Sequence, residues 1–175
     1  CVREGTDIKL YVNGVLEATT AIGMTSINNV SGRHIKLARI DGFGGHTNME
    51  MDELRIWDDA RSAAEIADLK ACEIPTAYTD LLANYHFNQG TAGGSNPGET
   101  SLGDDAGSSR DGALTGFALT GGTSNWVAPG PTPNGVSCLP VHNVTKDLYY
   151  STIQDAVDGA DPGDDISVSS GTYNE

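Results

Sequence analysis

The chain has 175 residues, a formal net charge of −14 and a sequence pI near 4.4. Phosphate backbones are gripped by clustered Lys and Arg, so 10 basic against 24 acidic residues exclude a nucleic-acid partner and disfavour an anionic membrane surface. With 22 glycines, 19% charged residues and no apolar run near the ~20 residues of a membrane span, the composition predicts short strands joined by many turns, in one domain or one and a part.

Residues 6–20 read as a hairpin. Ile8, Leu10 and Val12 alternate with Lys9 and Tyr11, the period of a half-buried strand. Asn13-Gly14 supplies the two-residue turn that needs positive φ at both positions, and Val15 to Thr20 returns. A strand is predicted at Ile35 and Leu37, a Gly-rich loop over 41–47, and another strand in the alternation of Met49, Met51, Leu54 and Ile56. Ser62-Ala63-Ala64-Glu65 is a capping box opening a short helix, with Ile66 and Leu69 on one face, Cys72 at its close and Pro75 preventing its continuation. A strand follows over Leu82 to Phe87, then a Gly, Ser, Asn and Asp-rich segment over 91–112, then two short strands near 113–119 and 124–127.

The run Pro129-Gly130-Pro131-Thr132-Pro133-Asn134-Gly135 is a linker, and a domain boundary is placed there. Beyond it, Val141 to Val144 is a strand, and Ser151-Thr152-Ile153-Gln154 reads as a second capping box. Ile153, Ala156, Val157 and Ala160 form an apolar helical face, and Ile166 and Val168 alternate as a strand. Three cysteines, Cys1, Cys72 and Cys138, lack the close spacing of a zinc site; Cys72 with Cys138, Cys72 with Cys1, and buried free thiols all stay open. The first residues, Cys1-Val2-Arg3-Glu4-Gly5, enter a strand pattern without an initiator Met, so a fragment of a longer protein is expected.

Two resemblances are carried by these residues. Lys9-Leu10-Tyr11-Val12-Asn13-Gly14, then Met51-Asp52-Glu53-Leu54-Arg55-Ile56-Trp57, then Ala60-Arg61-Ser62-Ala63-Ala64-Glu65-Ile66, resemble in order the motifs of the laminin-G-like, concanavalin A-like jelly roll. In that family the strand resembling Leu82 to Asn88 and the loop resembling Asp105 to Gly112 open the domain; here they follow the helix. The tail, through Tyr150 to Val157, Pro162 to Ile166 and Gly171-Thr172-Tyr173, resembles the capped start of a pectate-lyase-like right-handed parallel β-helix. The implied fold is all-β: an antiparallel jelly-roll sandwich with one short helix, followed by a truncated β-helix start with its capping helix. The expected division is 1–74 as sandwich, 75–128 as further sandwich strands in permuted or abbreviated order, 129–138 as linker and 139–175 as the start of the β-helix.

Candidate chemistry follows from residue type. Asp104, Asp105 and Asp111, set among Gly103, Gly107 and Gly112, form an acidic loop of the kind that can wrap Ca²⁺ with oxygen ligands, and the similar family loop contributes to such sites. Phe43 in its loop, and Trp126 beside Asn125, are candidate sugar-binding residues, because sugar C–H faces pack on rings while hydroxyls need polar partners. No histidine sits in a nucleophile or zinc motif, and neighbours such as Asp52 and Glu53 point to opposite faces of a strand, so no catalytic residue is assigned. The resemblances imply an extracellular, non-catalytic binding module with a polysaccharide or cell-surface glycan as partner and a Ca²⁺ cofactor. The alternatives are a structural spacer of a bacterial adhesin, or the accessory region of a polysaccharide lyase or hydrolase. Neither oligomeric state nor ligand identity is legible.

Overall fold

A computed structural model describes residues 1–24, 26, 34–38, 47–74, 78–107, 110–120, 125–128 and 137–169. Among these, ten short strands and two short helices run in the order β1 (Val2–Glu4), β2 (Asp7–Val12), β3 (Val15–Ala21), β4 (Leu54–Trp57), α1 (Ala63–Leu69), β5 (Leu81–Tyr85), β6 (Ser101–Leu102), β7 (Gly112–Ala113), β8 (Val141–Asn143), β9 (Leu148–Tyr150), α2 (Ile153–Asp158) and β10 (Ile166–Val168). The protein is mostly β, and every strand ladder among the described residues is antiparallel. The described strands form four small sheets, β1-β2-β3, β10-β8-β9, β4-β5 and β6-β7, where two large stacked sheets were expected.

The local signals produce the elements they predict. Asn13 and Gly14 both take positive φ, 54° and 86°, which lets β2 fold straight back on β3. Ser62 accepts the backbone N–H of Glu65, and the Glu65 carboxylate accepts the N–H of Ser62, so two orphan donors at the start of α1 are satisfied reciprocally. Residues 34–38, read as part of a strand, lie outside any strand, and the alternation from Met49 yields a strand only from Leu54 onward.

The core sits where β4-β5 meets β6-β7. Ala83, Tyr85, Leu102 and Trp126 are buried together, with Leu54, Ile56, Phe87, Leu114 and Phe117 packed around them. The sheet β1-β2-β3 adds little to this core: all seven residues of β3 are exposed, and Leu10, Val12, Val15 and Leu16 stand open to solvent.

The described tail folds into a three-stranded sheet. β8 and β9 form a hairpin through the turn at 144–147, where Asp147 takes φ 53°, and β10 pairs antiparallel with the other edge of β8. A four-residue turn returns the chain beside itself, so the described tail is a small antiparallel sheet with α2 beside it, and the described residues contain no parallel coil. The α2 cap is Thr152, whose hydroxyl accepts the N–H of Asp155, one position later than the sequence reading placed it. Leu139 and Val141 are buried, and full burial of Val141 and Ile74 contributes roughly 1.5–3 kcal/mol each.

The expected linker falls mainly outside the described residues, but its end does not hang free. Cys138 is bonded to Cys72, Ser137 bridges in parallel with Glu73, and Cys138 N–H donates to Glu73 C=O at 2.7 Å. Cys1 is the remaining thiol and is exposed.

Candidate functional site

The pairing of β4 with β5 creates two opposite faces. Its register sets Leu54 against Tyr85, Arg55 against Asn84 and Ile56 against Ala83, which puts Glu53 opposite His86 one step further on. Side chains alternate across a strand, so Leu54, Ile56, Ala83 and Tyr85 turn to the core. Glu53, Arg55, Asn84 and His86 share the other face, which the chain leaving α1 covers.

That face is a connected polar hub. His86 Nδ1 lies 2.7 Å from Glu53 Oε1, and the Arg55 guanidinium donates to Glu53 Oε2 at 2.6 Å. Arg55 also donates to the carbonyls of Leu69 and Cys72, tying the end of α1 to β4. The Asn84 carboxamide donates to Ile74 C=O at 3.2 Å and stands 3.1 Å from His86 Nε2. Asn84 is fully buried, and its Oδ1 has no hydrogen-bond partner among the described residues. Glu73 approaches from the disulfide side and accepts from Asn88 Nδ2 at 2.8 Å. Glu53 within the hub and Phe87 beside it both hold left-handed backbone, with φ of 49° and 57°.

Burial pushes the Glu53 carboxyl up, but hydrogen bonds from His86 and Arg55 outweigh it and hold the group below the usual carboxylate range. The Glu53 hydrogen bond raises His86 above the usual imidazole value, against the opposing effect of burial; Asp105 and Glu73 add to the rise. Among the described residues, Glu53, Glu73 and His86 each present a metal-ligating atom, and these atoms lie within 4.8 Å of one another.

A second concavity lies between the sheet β1-β2-β3 and the start of α1. It encloses about 250 Å³ and is lined by Glu4, Lys9, Tyr11, Arg61 and Ser62 among others. Arg61 is firmly held there. Its guanidinium lies 4.5 Å over the Trp57 ring and pairs with Glu65 at 2.9 Å and Asp80 at 3.4 Å.

The sequence-predicted site residues are placed as follows. Asp104 Oδ1 accepts the backbone N–H of Asn84 and of Ala106, both at 3.0 Å, and Oδ2 accepts that of Arg110 at 3.1 Å. Asp111 accepts the N–H of Asp104 at 3.0 Å, while Asp105 is exposed and its own N–H donates to Asn84 C=O. These carboxylates fasten their loop to β5. Trp126 is a core residue, 5% exposed, with its indole against Gly90 and edge-on to Phe117; a buried ring cannot serve as a sugar platform, which corrects the sequence expectation. Asn125 closes a turn, donating its N–H to Ala118 C=O and accepting the N–H of Ala118 on its side chain. Phe43 lies outside the described residues.

The hub was missed because its members are scattered along the chain. One signal was available: Glu53 and Arg55, and again Asn84 and His86, are polar at i and i+2 between apolar neighbours, the mark of a strand with a polar face.

Comparison with known proteins places part of the chain. Residues 1–67 match the family described as the concanavalin A-like lectin/glucanases superfamily. No curated protein and no solved structure matches the chain. Among the described residues, no helix is long and apolar enough to cross a membrane.

Proposed function

We propose that this chain is an extracellular, non-catalytic carbohydrate-binding module that takes a sugar of a polysaccharide or cell-surface glycan in the cleft between β2 and α1. The observation that carries this reading is the similarity of residues 1–67 to a superfamily of lectins and glucanases, since those residues supply every element lining the cleft.

The chemistry of the lining supports it. Tyr11 offers an aromatic surface for sugar C–H groups, and Lys9, Arg61 and Ser62 offer polar groups for hydroxyls. The volume falls below the ~300–1,000 Å³ of pockets that enclose drug-sized ligands, which suits one ring at a chain end or edge. Binding is favoured over hydrolysis because the nearby carboxylates already have structural partners: Glu65 caps α1 and holds Arg61, and Glu4 is ion-paired with Lys9. A disulfide suits an oxidising, extracellular compartment.

A glycan-array screen followed by titration calorimetry on any hit tests the reading. Tyr11→Ala should abolish binding of that glycan while leaving the unfolding temperature within a degree or two. An array without hits, or binding unchanged in Tyr11→Ala, would overturn it in favour of a structural spacer.

A further inference from the structure

We infer that Glu53, Glu73 and His86 form a binding site for a single divalent transition-metal ion of the zinc class. The site is separate from the proposed sugar cleft and does not depend on it.

The ligand set points to the class of ion. One imidazole nitrogen with two carboxylate oxygens suits Zn²⁺ and its first-row neighbours, whereas Ca²⁺ and Mg²⁺ take oxygen alone. Ligands at 2.0–2.1 Å in tetrahedral array stand about 3.4 Å apart. The three ligating atoms already lie within 4.8 Å of one another, near that spacing, with the Glu53–His86 pair at 2.7 Å having to open onto the ion. A fourth position is left for water.

The site is also held in place. Glu53 and His86 sit opposite each other by the β4-β5 register. Glu73 is fixed by its bridge to Ser137 and by the neighbouring Cys72–Cys138 bond. The Arg55 fork orients the second oxygen of Glu53. An ion can enter from the Glu73 side, where the contact with Asn88 is exposed.

The buried Asn84 oxygen supplies the independent observation. Asn84 is fully buried, its Oδ1 is unpartnered among the described residues, and its carboxamide lies against His86 Nε2. A metal-ligating histidine donates the N–H of its other ring nitrogen to a polar acceptor. With the ion on Nδ1 in place of the hydrogen bond to Glu53, the proton resides on Nε2. A half-turn of the Asn84 carboxamide then offers Oδ1 as its acceptor; the bond to Ile74 C=O is lost, and the carboxamide must also shift off that carbonyl.

The test is a titration of the chelator-treated full chain with Zn²⁺ by calorimetry, with Co²⁺ absorption reporting the ligand field. One ion per chain should bind and raise the unfolding temperature. Glu73→Gln, whose side chain lies toward the surface, should weaken binding at least tenfold while leaving the metal-free unfolding temperature unchanged. His86→Ala should remove the nitrogen contribution to the Co²⁺ spectrum. The absence of Zn²⁺ and Co²⁺ binding would overturn the site, and so would equal affinity in wild type and Glu73→Gln, which would place the ion elsewhere, as at Cys1 or the His142–Asp147 pair.

Discussion

Asp104 holds Asn84 from outside its strand: the carboxylate accepts the Asn84 N–H at 3.0 Å, while the next residue, Asp105, donates its own N–H to the Asn84 carbonyl at 2.8 Å. The acidic loop thereby acts as an extra half-strand along the edge of β5. It fixes the backbone of the residue whose side chain contacts His86.

Asp104→Ala should therefore destabilise the fold by roughly 2–4 kcal/mol, since hydrogen bonds to charged groups contribute about 1.5–3 kcal/mol and more than one is lost. The loss should be the same with and without millimolar Ca²⁺. Urea unfolding of both proteins in both conditions checks this; a wild-type stabilisation by Ca²⁺ that Asp104→Ala abolishes would instead assign the loop a calcium site.

Gly90 lies beneath the Trp126 indole so closely that an added Cβ would fall 2.3 Å from ring carbon Cδ2. The ring is buried among Tyr85, Leu102 and Phe117 and has nowhere to retreat. Gly90→Ala should cost about 1–3 kcal/mol by overpacking, with a shift in tryptophan fluorescence. Ala at Gly98, where a Cβ meets nothing within 4 Å, should leave both unchanged.

The Cys72–Cys138 bond closes a span of 66 residues. Chain entropy alone assigns such a loop about 4 kcal/mol of stabilisation. Reduction, or Cys72→Ser with Cys138→Ser, should lower the urea midpoint accordingly. The double variant should not respond to reductant.

The Glu53–His86 pair predicts a pH window in chelator-treated protein. His86 is raised above its ordinary 6.5, so its contribution is full below that value and is lost as pH climbs through the raised value. Glu53 lies below its ordinary 4.5, so its contribution is full above that value and is lost as pH falls through the lowered one. The pair therefore stabilises most between about 4.5 and 6.5. His86→Gln should flatten the alkaline side of the unfolding-temperature profile; an unchanged slope there would assign it to other groups.

What the sequence disclosed was local. The Asn13-Gly14 turn and the Ser62–Glu65 box each lie within a few residues, and both form as read. The α2 cap slipped by one because Ser151 and Thr152 are adjacent and either hydroxyl can cap. What it concealed depends on partners distant in the chain. Trp126 beside Asn125 can be read as a surface platform or as core until Gly90 and Phe117 are seen against it. His86 looks isolated until β4 brings Glu53 opposite. Strand direction in the tail was hidden for the same reason: Ile166 to Val168 has the same alternation in a parallel coil as beside β8.

The bond between Cys72 and Cys138 also alters what cutting the chain can do. A single backbone cleavage between the two cysteines would leave both products covalently joined through sulfur. The molecule would migrate as one species without reductant and as two with it. Limited proteolysis would thus appear harmless on a non-reducing gel, and the tail sheet would stay tethered to α1 after its peptide connection was gone.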